Sequence, residues 1–285
     1  GRRYVFCYHD VSEPDSPWHA AMYSTPPKLF RRQIEALSKR LQWVTLDELL
    51  RNETPGKHLC ALTFDDGFAS VREGALPFLR QKGIPSTMFV CRLAIEHNCL
   101  PVSTRILLSR LRDPPPEFAR LVLGRRSDGY MNPEVDEAIL GSLEPLKASG
   151  LFRDKVFMDA EDIQHLVGQG ISVGSHSSSH RMLASCDPQS LEYEIGGNQR
   201  FLEAHLGIRS THFALPFGKK GDYTPAVLNA LVCHGYRYVY TSNPVHVAPV
   251  DSDSPRLVPR IGVTTEDPAR LLFYVNRPFL RSIDL

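Results

Sequence analysis

A rhythm constrains this chain more than any other feature: short apolar runs of β type alternate with amphipathic stretches along nearly its whole length. RYVFCYH (3–9) precedes PKLFRRQIEALSKRL (27–41), in which Phe30, Ile34, Leu37 and Leu41 share one face at helical spacing. HLCALTF (58–64) precedes ASVREGALPFLRQKG (69–83), which closes on a glycine as helices do. STMFVC follows, and after a long middle region come GISVGSH (170–176), PQSLEYEIGGNQRFLEAHLG, THFALPFG (211–218), PAVLNALVCHG, YRYVYTS (236–242), RLVPRIGV (256–263) and EDPARLLFYV. Strand then helix, repeated, predicts an α/β fold with a parallel sheet covered by helices. About seven strands exceed what a small open sheet uses and suit a distorted (β/α) barrel. The expectation is a single barrel domain over residues 1–285, with an insertion at about 97–158 where DPPPEF and PEVDEAILGSLEPLKASG break the rhythm.

Charge narrows the partner. Lysine plus arginine number 33 against 32 aspartates plus glutamates, without long runs of like sign, which argues against nucleic acid and for a neutral small molecule or glycan. No stretch reaches the roughly 18 apolar residues of a membrane span. No secretion signal is visible, so a cytoplasmic location is expected; a periplasmic or secreted one follows if a leader preceded Gly1. The six cysteines show no CxxC spacing, and several lie inside apolar runs, so buried thiols in a reducing compartment are expected. Oligomeric state has no signal in the sequence.

Chemistry in such folds gathers at the carboxyl ends of strands. His9, the pair Asp65–Asp66, His176 with His180, and Pro216–Gly218 all fall just past apolar runs. SHSSSH sets His176 and His180 four residues apart, the interval by which a helical turn brings two imidazoles to one metal. The intervening serines leave room and supply hydrogen bonds to ligands. Two histidines and one carboxylate are the three protein ligands of a catalytic site with a position left for water. One aspartate of the pair is then a ligand and the other is left to accept a proton, a bound cation offsetting the repulsion between them.

These residues resemble the motifs of the polysaccharide deacetylase superfamily, carbohydrate esterase family 4: TFDDG its first, His-Ser-x-x-His its second and PFG at 216–218 its third. The resemblance implies Asp65 as general base. It implies Asp66, His176 and His180 as ligands of one divalent ion, zinc first, with cobalt and nickel as alternatives. The backbone amide of Phe217 would donate to the oxyanion. CYHDV (7–11) is similar to the opening of a circularly permuted branch that includes poly-N-acetylglucosamine deacetylases. That implies His9 as general acid, with Asp10 orienting its ring or meeting substrate. Family members often carry an arginine two residues before the proline of the third motif; this chain has Ala214, and Arg260 in VPRIGV is expected to pair with Asp65 instead. The family's C-terminal leucine-x-histidine is also missing, since no histidine follows Arg260.

The expected activity is metal-dependent removal of N-acetyl groups from an amino-sugar-containing glycan or saccharide precursor. Two rivals stay open: hydrolysis of another linear or cyclic amide on the same scaffold, and an inactive carbohydrate-binding relative. Tyr8, Trp18, Tyr23 and Tyr240 are the aromatic candidates for a sugar platform, although aromatic residues beside strands are more often core.

Overall fold

The computed structural model describes residues 1–16, 23–51, 58–101, 141, 155–242, 255–264 and 266–276. Trp18 and most of the expected insertion lie outside them. Nine parallel strands are described: β1 (Arg3–Tyr8), β2 (Gln42–Trp43), β3 (Leu59–Phe64), β4 (Ser86–Val90), β5 (Ser172–Ser175), β6 (His212–Ala214), β7 (Tyr238–Thr241), β8 (Arg256–Pro259) and β9 (Ile261–Gly262). They run β8-β7-β6-β5-β4-β3-β1-β9, with β2 beside the start of β3. Only Arg260 separates β8 from β9, yet β8 pairs with β7 and β9 pairs with β1. The last strand run therefore closes the sheet into a barrel, as expected. RLVPRIGV splits at that point because its pairing passes from one edge to the other: the Arg260 N–H bonds Thr241 O, and the Val263 N–H bonds Cys7 O.

The period of two along each strand sorts the side chains. On β1, Tyr4, Phe6 and Tyr8 face outward and pack with Phe30, Ile34 and Leu37 of the helix Pro27–Ser38. On β3, Cys60, Leu62 and Phe64 join the same outer cluster. Val5, Leu59, Ala61, Phe89, Ala214, Tyr240 and Val258 form a separate cluster that fills the barrel, closed at one end by Val44 and by Leu46, Leu49 and Leu50 of the helix Leu46–Arg51. Phe89 fills its share so closely that a Cβ at Gly174 would sit 2.3 Å from its ring, which explains the glycine in β5. Carried two residues further, the inward positions are Cys7, Thr63, Asp65, His176 and Arg260, all at the carboxyl end.

Local departures from the expected elements have physical causes. The predicted helix over 69–83 is two helices, Ser70–Gly74 and Leu76–Gln81. Pro77 has no N–H to continue the first, and Gly74 is pressed so near Val11 that a Cβ would lie 2.3 Å from its carbonyl oxygen. The helix Arg92–His97 stops at Asn98 in a left-handed conformation, φ 53°. There Asn98 Oδ1 accepts from the N–H groups of both Val156 and Phe157 at 2.9 Å, so the two ends of the stretch between them meet. Cys7, Cys60 and Cys91 are buried, unbridged thiols. Among the described residues no helix is long and apolar enough to cross a membrane.

Candidate metal centre

The β3 strand ends at Phe64, and the next two residues are the aspartates. Neighbours on an extended chain point to opposite sides, so two adjacent carboxylates do not ordinarily share a site. Here Asp66 takes a left-handed φ of 70° and Gly67 one of 84°, and the tight turn aims both carboxylates at the same space. Both are buried.

Their partners differ. Asp65 receives a bidentate pair from Arg260, Nη1 to Oδ1 and Nη2 to Oδ2, each at 2.7 Å. Cys7 Sγ donates to the same Oδ2 at 3.3 Å, and the Arg260 Nη1 also reaches Thr63 Oγ1 at 3.3 Å. Arg260 is itself buried, with its guanidinium over the rings of Phe89 at 5.5 Å and Tyr240 at 5.9 Å. Burial alone would raise the Asp65 carboxyl, but the Arg260 charge and its hydrogen bonds outweigh it and hold the group well below the usual carboxylate range. Arg260 thus pairs with Asp65 in a chain that carries Ala214 two residues before Pro216.

Asp66 has no such cation. Its Oδ1 is buried, makes no hydrogen bond among the described residues, and lies 3.5 Å from His176 Nε2 and 3.4 Å from His180 Nε2. Burial, with Asp65 adding to it and the His9 and Arg260 charges opposing, pushes this carboxyl up to about 7. His176 is set by its other nitrogen: Nδ1 donates to the Ala214 carbonyl at 2.8 Å, which leaves the Nε2 lone pair facing Asp66. Burial holds that imidazole neutral, its pKa down at about 3. One ligand atom from each of Asp66, His176 and His180 lies within 4.8 Å of the others, and all three residues are buried. A carboxylate oxygen without a donor, facing two imidazole nitrogens, fits a divalent cation by its donor set. Cys7, His9 and Asp65 also converge, but there Arg260 already supplies the positive charge.

Several expectations change here. The interval from His176 to His180 is spanned by a loop and not by a helical turn; Ser177 and His180 both take left-handed φ values, 67° and 61°. The serines do not surround the ligand atoms. Ser177 Oγ accepts from the His180 N–H at 3.0 Å, while Ser178 and Ser179 tie the loop to Tyr193 and Glu194. Tyr8 and Tyr240 are core residues and no platform: Tyr8 lies under the helix Pro27–Ser38, and the Tyr240 hydroxyl bonds His212. Asp10 accepts from the hydroxyls of Ser12 and Ser70, so its carboxylate braces a loop. The Tyr23 ring lies 6.4 Å from the His9 ring and is stacked on Phe68.

His9, one residue past β1, is half-buried with Nε2 4.0 Å from Asp65 Oδ2. Phe217 follows β6 with φ 61°, and its ring meets the His180 ring edge-on at 4.9 Å. Its N–H bonds no described residue. Sequence reasoning passed over Cys7, Thr63 and Glu194. For the first two a signal existed, since both share the inward parity of Asp65.

Known proteins resemble this chain over most of its length. The Bacillus subtilis (strain 168) protein YxkH, named for polysaccharide deacetylase, is 20% identical over 245 residues; the match covers 84% of this chain but only 64% of YxkH. The Streptococcus pyogenes deacetylase PplD, solved with acetate, superposes with a TM-score of 0.66 at 17% identity, covering 97% of this chain and 99% of its own. IcaB from Ammonifex degensii gives 0.62 at 22% identity, with 97% of each chain covered. At these identities the structures establish a shared fold. The polysaccharide deacetylase family model matches residues 52–239, which include β3 through β6 and the first half of β7 and leave His9 and Arg260 outside at opposite ends. With more than half of its 285 residues in that match, the chain belongs to the polysaccharide deacetylase family.

Proposed function

We propose that this chain hydrolyses the N-acetyl group of an amino-sugar-containing glycan or saccharide precursor, as one barrel domain into which residues 97–158 are inserted. The observation that carries the reading is the unequal partnering of the two aspartates. Asp65 is held ionised by Arg260, and Asp66 is aimed, without a donor, between two imidazoles.

Asp66, His176 and His180 would hold one divalent ion, zinc first and cobalt or nickel as alternatives. Such an ion, when bound, acidifies a water and polarises the amide carbonyl. Asp65 is the base. Its tight pairing with Arg260 makes it a weak one, fitted to take a proton only from a water already acidified. Oδ2, the oxygen nearest both His176 (3.7 Å) and His9 (4.0 Å), receives that proton. The Phe217 N–H, held by a left-handed backbone between Pro216 and Gly218, donates to the oxygen that becomes negative when water adds to the amide carbon. His9 then protonates the amine as the C–N bond breaks, so that amide and water become sugar amine and acetate.

The test is a screen of N-acetylated saccharides of different lengths with added metal, reading free acetate, beside other linear and cyclic amides. Acetate release that is lost in Asp65→Asn supports the reading. Release of a different acid from a different amide would replace it, and binding of saccharides without any release would mark a carbohydrate-binding relative.

A further inference from the structure

We propose that Glu194 is a positioning residue for the candidate metal centre: it locks the Ser177–His180 loop in the shape that brings His180 to Asp66, and so sets the affinity for the divalent ion. The inference rests on the reading of Asp66, His176 and His180 as ligands.

The two histidines are anchored in different ways. His176 directly follows β5, its N–H bonded to Val90 O at 3.0 Å and its ring fixed on Ala214. His180 hangs from three serines, and Ser177 and His180 both occupy the left-handed region that side-chain-bearing residues avoid. Such a backbone persists only when its surroundings over-determine it. Glu194 supplies that constraint. Its Oε2 accepts the Ser179 N–H at 2.9 Å, its Oε1 accepts the Ser179 hydroxyl at 2.5 Å, and its carbonyl accepts the Ser178 N–H at 3.0 Å. The neighbouring Tyr193 carbonyl takes the Ser178 hydroxyl at 2.8 Å.

All four contacts come from one wide turn, the π-helical segment Glu192–Gly196 set between the helices Pro188–Leu191 and Gly197–Leu206. Single π turns are uncommon and recur at functional sites. Glu194 is fully buried, and Arg181 Nε lies 3.8 Å from its Oε1. A buried carboxylate is a costly way to close a loop that carbonyls alone could close. It makes sense where the loop must be held to within a few tenths of an ångström, because an ion's coordination distances tolerate little more.

The experiment measures zinc affinity of the purified full chain by competition with a chelator, and the visible absorption of the cobalt-loaded protein. Glu194→Gln is expected to weaken zinc binding by about 10- to 100-fold and to alter the cobalt spectrum, with circular dichroism unchanged. Glu192→Gln, on the same turn but bonded outward to Arg200 and His234, is expected to match the parent. A folded Glu194→Gln that binds both ions like the parent overturns the proposal. Should Glu194→Gln fail to fold, Ser179→Ala removes the hydroxyl bond alone; a several-fold weakening supports the proposal and an unchanged affinity overturns it. His180→Ala separates the two claims. If it binds zinc like the parent, the ligand reading falls and takes this one with it; if it loses zinc while Glu194→Gln does not, only the Glu194 proposal falls.

Discussion

The two ends of the barrel use the same residue types to opposite effect. At the end closed by the helix Leu46–Arg51, His212 Nδ1 bonds the Tyr240 hydroxyl at 2.7 Å, Nε2 lies 3.5 Å from Asp47, and the ring stacks on Tyr238 at 5.0 Å. Histidine, aspartate and tyrosine there satisfy one another beside a plug of Leu46, Leu49 and Leu50. At the carboxyl end, the Asp66 Oδ1 and the Phe217 N–H have no hydrogen-bond partner among the described residues. Other buried polar atoms of the described residues, Ser86 Oγ and Gln199 Oε1 among them, also lack a partner, so what marks the carboxyl end is that its unpaired carboxylate oxygen faces two imidazole nitrogens, a donor set for a cation. The histidines alone do not distinguish the two ends.

The sharpest way to break this comparison is to delete one histidine from each end. His176→Ala or Asp66→Asn should abolish stoichiometric zinc binding and lower turnover on the order of 1,000-fold or more, since even partners of ligands are worth 10- to 100-fold. His212→Ala should leave metal content and turnover at the parental level. Metal analysis with acetate release reads both, and loss of zinc in His212→Ala would refute the contrast.

Arg260 gives the next largest effect, this time on stability. Replacing it by leucine leaves the Asp65 carboxylate buried without its cation, a change that costs about 3–5 kcal/mol in comparable pairs. Adding Asp65→Asn to Arg260→Leu should recover much of that loss while the protein stays inactive. Urea unfolding of both variants decides this, and a double variant no more stable than Arg260→Leu would show that the pair contributes little. A smaller effect follows from metal itself. Zinc at about 100 times its dissociation constant should stabilise the parent by about 2.7 kcal/mol and His176→Ala by nothing measurable, as seen in thermal unfolding.

How much of this was legible in the sequence depends on how local each cause is. The strand rhythm reports a barrel because every stave must be apolar, and the runs reappear within a few residues of their expected bounds. The two-residue β2 is too short to carry a period. The sequence leaves Tyr8 and Tyr240 between platform and core because β1 and β7 are apolar on both faces, so parity cannot be told from composition. Asp65, Asp66, His176 and His180 stand in compact motifs, and Arg260 announces itself as a charge at a strand end. The helical turn expected from His176 to His180 failed for a tertiary reason: spacing is blind to Glu194, fourteen residues away from His180, which imposes the left-handed loop.

The smallest predicted effect tests whether the closed end is as self-sufficient as it looks. Burial lowers the His212 pKa below its ordinary 6.5, with Asp47 opposing from a half-exposed position where solvent screens it. The folded protein therefore keeps the ring neutral at a pH where the unfolded chain takes up a proton. Stability from this group is full above 6.5 and is lost as pH falls through that value toward the lower folded one. His212→Ala removes that slope but strands the buried Tyr240 hydroxyl, at a cost of roughly 1–3 kcal/mol. The parent should thus exceed the variant most at about pH 8, and the gap should narrow toward about pH 5. His176 titrates in both chains and cancels in the difference. Urea unfolding of metal-free protein across that range reads the gap directly. A gap that widens on acidification would mean that Asp47 holds His212 charged, and the closed end would then be an ion pair in its own right.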